Sequence, residues 1–420
     1  MEQFLTEEVD KMEQYSLQRN IPVEGTYDVV IAGGGPAGCA AAIAAGRLGA
    51  KVLLLEATGC LGGMATSGLV TAFDPMGDGE KMLVGGLMQE IVETMYQRGH
   101  ISSHVTPDYW RRDFHRWTPF NPEGLKVLLD ELTAEAQVEV RFFTRVIDAD
   151  VTDKKVNGIV IHNVEGYRFI QGQTFIDATG DAVLADLCGA PHREAGRDTE
   201  HIMPPTLCFL VAGIDFSRYD KAVVQDKLEQ AIEDGFFTVP DRHHPGTFAI
   251  GRTTSMLNVG HIFGMNAVQE RSLSRGMAAG RSMVQEYVEF YRRYVPGFEE
   301  AELVTTGSLM GVRESRCIVG EYELTFEDYL GRRQFPDQIG VFNKAVDIHP
   351  YDGSDEEFAR FRKEFLEEGR LKPGECFGLP YGILVPRGWH NLWAAGRCAS
   401  ADVQVHGSIR VQPAAAMMGQ

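Results

Sequence analysis

The chain has 420 residues, enough for two or three domains with substantial cores. Its 40 basic and 59 acidic side chains give a formal net charge of −19, which argues against nucleic acid or an anionic membrane as the main partner. No apolar run approaches the ~20 residues of a membrane span, and the acidic start MEQFLTEEVDKMEQYS lacks the basic and apolar regions of a signal peptide. Seven cysteines without a CxxC pair point to reduced thiols in a cytoplasmic protein, and against structural zinc or an iron–sulfur cluster.

Residues 1–26 read as an N-terminal helical extension and linker, closing near Pro22 and Gly25. Tyr27–Ala32 is a short apolar run rich in β-branched residues, as a buried parallel strand requires. Gly33-Gly34-Gly35-Pro36-Ala37-Gly38 follows and fits G-x-G-x-x-G. The first glycine permits a tight turn, the second lets backbone approach a pyrophosphate, and the third lets the helix lie close to the strand. Cys39–Leu48 is small and apolar, as a helix wedged against a sheet should be, and Lys51–Leu55 is a second strand ending at Glu56. A carboxylate there accepts hydrogen bonds from ribose hydroxyls and repels a 2′-phosphate. Strand, glycines, helix, strand and acid in this order predict a dinucleotide site.

Ala57–Gly68 is too glycine-rich for a regular element and reads as a loop passing close to something flat. Residues 76–119 read as a helical insertion, with a helix from Leu87 to Gln97 and an aromatic, arginine-rich segment from Tyr109 to Trp117. Within it, Tyr109, Trp110 and Trp117 either line a pocket or fill a core. His100 and His104 stand four apart, but Gly99 and the Ser102-Ser103 pair oppose a helix there, and two ligands do not make a metal site. No metal is expected. Asn121-Pro122-Glu123 starts a helix, with Leu125, Leu128, Leu129 and Leu132 at helical spacing. Val138–Phe143 returns to strand. From Val146 to Phe175 the chain reads as a β-meander, with turns near Asp153–Lys155, Asn163–Gly166 and Gln171-Gly172. It runs into Phe175–Asp177 and the small residues Ala178-Thr179-Gly180-Asp181. Residues 201–374 mix strand and helix cues, including a buried strand in Thr206–Ile214 and helices at Arg271–Tyr294 and Asp355–Glu368. They contain no second G-x-G-x-x-G. Asn391–Arg397 is again a strand ending in glycine, and Pro413 opens a final helix.

The expected architecture is α/β. A Rossmann-like domain, parallel sheet plus β-meander, is assembled from 27–75, 120–200 and 375–420, with an inserted mixed α+β substrate or cap domain at 201–374. Ligands of such sheets bind at the carboxyl ends of strands. Three ends carry glycine or small residues: 33–38, 178–180 and 395–396.

These motifs carry a family resemblance. GGGPAG (33–38), LGGMAT (61–66), DATGD (177–181), GVRESR (311–316), VDIH (346–349), AGRCAS (395–400) and GSIR (407–410) resemble FAD-dependent oxidoreductases of the glutathione-reductase-like flavoprotein superfamily, from about residue 20 to the end. The resemblance implies an FAD-binding domain and FAD as cofactor. Gly33, Gly35 and Gly38, with Pro36 and Ala37, would hold the pyrophosphate, and Glu56 and Ala57 the adenosine ribose. Val146 would give backbone contacts to adenine, and Ala178, Thr179, Gly180 and Asp181 would form the corner beside the adenosine half. Gly62, Gly63, Met64, Ala65 and Thr66 would pass the ribityl chain and flavin edge. Gly396, Arg397, Ser408, Ile409 and Arg410 would approach the phosphate and the pyrimidine side. The family's last helix runs past the position of Gln420, so a shortened C-terminal edge to the site is expected.

Cys60 has no partner before Cys188, which argues against a flavin–dithiol relay, and the missing second fingerprint argues against a built-in NAD(P)H domain. The resemblance leaves hydride transfer between flavin N5 and a small polar organic substrate, with electrons passing to or from oxygen, a quinone or a redox partner. Such chemistry needs a base within hydrogen-bond reach. His349, beside Asp347, is favoured over His261. Arg313 and Arg316 read either as a pair for a substrate carboxylate or phosphate, or as an Arg–Glu network joining domains. Arg410 reads as a stabiliser of reduced flavin or a substrate ligand. The alternative is an electron-transfer flavoprotein serving a protein partner. An RNA-modifying flavoprotein fits the charge of −19 worst. Oligomerisation is left open.

Overall fold

The computed structural model describes residues 15–112, 117–244, 246–363 and 370–420. Most of the expected N-terminal helix lies outside them, and 15–22 form neither helix nor strand. The first unit is built from β1 (Val23–Ala32), α1 (Pro36–Arg47), β2 (Val52–Leu55), α2 (Gly86–Gln97), α3 (Pro122–Glu135), β3 (Glu139–Arg141), β4 (Arg145–Thr152), β5 (Lys155–Asn163) and β6 (Gly166–Asp177). Its sheet has the order β3-β2-β1-β6-β5-β4. The β3, β2, β1 and β6 pairs are parallel, whereas β4–β5 and β5–β6 are antiparallel. Successive residues at the end of β1 and along β2 join two different cores. Ile31, Val52 and Leu54 face the helical layer, while Val30, Ala32, Leu53 and Leu55 face the core under the meander. A sheet covered on both faces explains the unbroken apolar runs in these strands.

The helical layer depends on small residues. A Cβ on Gly46 of α1 would stand 2.3 Å from the Ala136 carbonyl oxygen, so α1 and the end of α3 touch backbone to backbone. Asn121 caps α3, its side chain accepting from the N–H groups of Glu123 and Gly124. Met76, Leu87, Ile91 and Trp110 pack in the same cluster as α1 and α3.

One expected turn is absent. Gln171-Gly172 lies inside β6, which pairs antiparallel with β5 in its first half and continues beside β1. Gly172 marks a close approach, because a Cβ there would meet the Phe175 ring and Val30 at 2.9 Å.

The second unit contains β7 (Phe209–Ala212), α4 (Val224–Glu233), β8 (Gly246–Ala249), β9 (Ser255–Asn258), α5 (Glu270–Tyr294) and β10 (Glu302–Thr306). An antiparallel sheet of order β8-β9-β7-β10 packs against both helices around Phe209, Leu228, Leu257, Tyr287 and Phe290. This core ends near Met310. Leu324, Tyr329, Phe342 and Leu371 pack in the core of the first unit, ahead of the boundary expected at 374. The helix expected over Asp355–Glu368 is seen as Asp355–Phe361, and 364–369 lie outside the described residues. The chain closes with β11 (Leu392–Ala394), parallel to the end of β6, then α6 (Val403–Ile409) and α7 (Gln412–Gly419). Among the described residues, no helix is long and apolar enough to cross a membrane.

Candidate active site

The carboxyl ends of β1, β6 and β11 open onto one cavity of about 840 Å³, which runs between the two units. The three glycines of the first corner have separate steric duties. Gly33 has φ +99°, and a Cβ there would meet the Ala178 carbonyl oxygen at 2.5 Å. Gly38 lies under Gly33, whose carbonyl oxygen would be 1.8 Å from an added Cβ. At Gly35 an added Cβ meets nothing within 4 Å, and Gly35, Pro36 and Ala37 line the cavity. The uncapped N-terminus of α1 therefore faces open space, as an anion site requires.

Glu56 and Ala57 lie at the same end, with Thr144, Arg145 and Val146 beside them. Each Glu56 oxygen accepts one backbone N–H, from Gly34 and from Thr58, both at 2.7 Å. Each keeps a lone pair for a hydroxyl donor. Ala178, Thr179, Gly180 and Asp181 line the middle of the cavity, fixed by buried Asp177, which accepts from the Thr179 N–H and hydroxyl and from the Ala185 N–H. Gly396 and Arg397 complete this part. Arg397 pairs with Asp181 at 2.7 Å and donates to the Val312 carbonyl at 2.6 Å.

The lining also carries a group of charged side chains, Asp74, Arg313, Lys344, Asp347 and Arg410. Arg410 pairs with Asp347 at 3.2 Å. Lys344 pairs with Asp74, and its ammonium lies 5.1 Å from the Trp117 ring centroid. Burial opposes the charge of Asp347, but Lys344, Arg410 and Arg313 hold its carboxyl below the usual range. Burial, with Arg410 nearby, pulls Arg313 down to about 10, so it stays protonated at neutral pH. Burial, then Arg313 and the neighbouring histidines, push His349 well below the ordinary histidine value, so it is neutral.

The sequence matches the model of the family described as FAD dependent oxidoreductase over residues 28–420. The chain belongs to the FAD-dependent oxidoreductase family. Its cofactor is FAD and it is an oxidoreductase enzyme. No curated protein sequence matches significantly. Similar solved structures include a geranylgeranyl bacteriochlorophyll reductase-like protein from Thermoplasma acidophilum, at 16% identity and TM-score 0.43, covering 71% of this chain and 67% of that one. The p-nitrophenol 4-monooxygenase PnpA from Pseudomonas putida is 14% identical with TM-score 0.44, covering 71% and 70%. The myxobacterial chondrochloren halogenase CndH is 15% identical with TM-score 0.42, covering 70% and 65%.

The residues of this flavoprotein fit FAD. Open space over Gly35 at a free helix N-terminus suits the pyrophosphate, and Glu56 suits the ribose. Six expected contacts are indirect, Gly38 among them because it lies beneath Gly33 and does not line the cavity. Gly62, Ala65 and Thr66 do not line the cavity: they shape the turn that presents Gly63 and Met64, with Gly62 N–H bonded to the Gly34 carbonyl at 2.8 Å and the Thr66 hydroxyl to the Leu61 carbonyl at 2.6 Å. Ser408 and Ile409 are buried in α6, and the Ser408 hydroxyl holds the Lys344 carbonyl. Cys60 contacts hydroxyl groups of Ser67 and Thr66, and all seven cysteines are free.

The proposed catalytic residues separate. Arg313 and His349 line the cavity. Arg316 does not: it pairs with Asp186 at 3.1 Å and Glu194 at 3.0 Å, so of the two readings for Arg313 and Arg316 its contacts are those of an arginine–acid network. His261 stands behind His349, with its Nε2 2.8 Å from His349 Nδ1 and its Nδ1 2.9 Å from Asp241 Oδ2, off the line of the ring N–H. With His243, these two rings place three nitrogens within 4.8 Å of one another. The closest pair shares a hydrogen bond, which needs a proton where a metal would need both lone pairs. Trp110 is core against Tyr96, and Tyr109 packs against the same cluster, whereas Trp117 lines the cavity.

Sequence reasoning missed Lys344, Asp74, Asp241 and Asn258. The Lys344–Asp74 pair is almost fully buried, at 9% and 2% side-chain exposure. Lys344→Met would leave a carboxylate buried without its partner. The variant is expected to lose about 3–5 kcal/mol of unfolding free energy in denaturant titration.

Proposed function

We propose that this flavoprotein transfers hydride between FAD and a small polar organic molecule bound at the polar end of the cavity, with His349 moving the accompanying proton. The observation that carries this is one continuous cavity that joins the fingerprint and Glu56 at one end to His349, Arg313, Lys344 and Arg410 at the other. Bound FAD supplies the hydride acceptor or donor. The chain's own residues supply position, charge and the proton path. His349 faces the cavity while its Nδ1 is held by His261, so its ring orientation is fixed from behind. Arg410, placed against Asp347, is positioned to balance negative charge. Membership of the glutathione-reductase-like superfamily is part of the same proposal, supported by the single dinucleotide fingerprint and the meander between β3 and β6.

Anaerobic mixing of the purified yellow protein with a panel of alcohols, amines, hydroxy acids and unsaturated acids tests this reading. At least one class is expected to change the flavin's redox state, bleaching it or, with pre-reduced protein, restoring its colour. A flavin that changes only in the presence of a second protein would favour an electron-transfer role instead.

A further inference from the structure

We propose that the polar end of the cavity is a carboxylate-binding site anchored by Arg313, so that the substrate of the reaction proposed above is an organic acid. This rests on the hydride-transfer reading and adds the substrate class.

Arg313 is 5% exposed yet lines the cavity. Its Nη1 donates to the Pro204 carbonyl at 2.7 Å and the Thr206 hydroxyl at 3.0 Å, and its Nη2 donates to Asn258 Oδ1 at 3.2 Å. All three acceptors are uncharged. A guanidinium has five N–H donors. Three are committed, leaving the Nε–H and one N–H of Nη2 as donors for a further group. Charged N–H donors of this kind are what a carboxylate accepts most strongly.

The charges around it say the same. Lys344 has Asp74, Arg410 has Asp347 and Arg397 has Asp181. Asp241 contacts His261. Among the described residues Arg313 has no carboxylate at ion-pair distance, and Asp347 and Asp241 act on it only through space. A buried guanidinium without a counter-ion is costly unless something supplies the missing charge. A guanidinium with no carboxylate in contact suits one monoanionic group. A dianionic phosphate would call for a second unpaired cation, and Lys344, Arg410 and Arg397 are each paired. Arg313 and His349 line the same cavity, so the anchored acid would share it with the proton-handling ring.

The test is calorimetric titration of the FAD-bound protein with acetate, lactate, succinate and fumarate, each beside its neutral amide, and with inorganic phosphate. At least one acid is expected to bind about ten- to a hundredfold tighter than its amide, the factor that a charged hydrogen-bond pair supplies. Arg313→Gln is expected to abolish that difference and Arg313→Lys to keep part of it, both judged on protein that retains its flavin absorbance. The acid–amide comparison on the unaltered protein needs no variant, so a variant that fails to fold leaves the test intact. Equal binding of acid and amide, no binding of any acid, or phosphate binding tighter than every acid would each overturn the proposal. Neutral molecules that change the flavin's redox state while acids do not would overturn it and leave the hydride-transfer reading standing. A flavin that no small molecule in the panel oxidises or reduces would sink that reading itself.

Discussion

Gly35→Glu is expected to give a folded protein that has lost its FAD. Gly35 has φ −73° and ψ −174°, extended backbone open to any residue, and its Cβ position is empty to 4 Å. Nothing in the fold opposes the new side chain. Its carboxylate would project into the space in front of the α1 N-terminus, where the pyrophosphate must sit. Setting like charges together costs several kcal/mol, and about 4 kcal/mol is roughly a thousandfold in affinity. The purified variant should therefore be colourless with an unchanged far-ultraviolet circular dichroism spectrum. Retained yellow colour would place the pyrophosphate elsewhere. Gly38 offers the contrast: an added Cβ would lie 1.8 Å from the Gly33 carbonyl oxygen, so substitution there damages the fold itself.

His349→Gln is expected to keep FAD and slow flavin reduction by about 10²–10⁴-fold, the usual contribution of a positioned proton acceptor. The Asp241 carboxylate beside His261 Nδ1 favours the tautomer with its proton on that nitrogen; His261 Nε2 then accepts from His349 Nδ1–H, and His349 Nε2 is left as a bare lone pair. That nitrogen is 3.6 Å from Asp347 Oδ1, too far for a hydrogen bond, so the protein leaves it unused. The pH dependence has a definite sign. The basic form of His349 exists above its pKa, which burial and Arg313 hold well below the ordinary histidine value. Flavin reduction should be flat through neutral pH and fall only on the acid side of the usual histidine range. The glutamine variant should lose that acid limb. An acid bound to Arg313 would cancel the second of these two causes and raise His349 towards the working pH, so substrate binding and base strength are coupled.

The fingerprint was legible in the sequence because each of its glycines answers a local steric demand within a few residues. The same locality made Asn121 readable as a cap and Pro413 as an opening of α7. Gly172 was misread because a glycine that admits Phe175 and Val30 looks the same in sequence as one that turns the chain. Arg313 and Arg316 are three residues apart, but antiparallel pairing of Arg316–Ile318 with His192–Glu194 turns one guanidinium to Asp186 and Glu194 while the other stays in the cavity. Lys344 and Asp74 are 270 positions apart, and no local pattern announces their pairing. The early return from the second unit rests on Leu324, Tyr329, Phe342 and Leu371 packing against residues far away in sequence, which no local pattern announces.

The central claim is that one cavity holds FAD at the fingerprint and presents its reactive end to His349 and Arg313. A crystal structure of the protein purified with its FAD tests this most directly. The account predicts the pyrophosphate over Gly35, the ribose at Glu56 and the flavin ring between Met64 and Arg410, with His349 facing it. A ring lying outside the polar end, with His349 and Arg313 out of its reach, would contradict it.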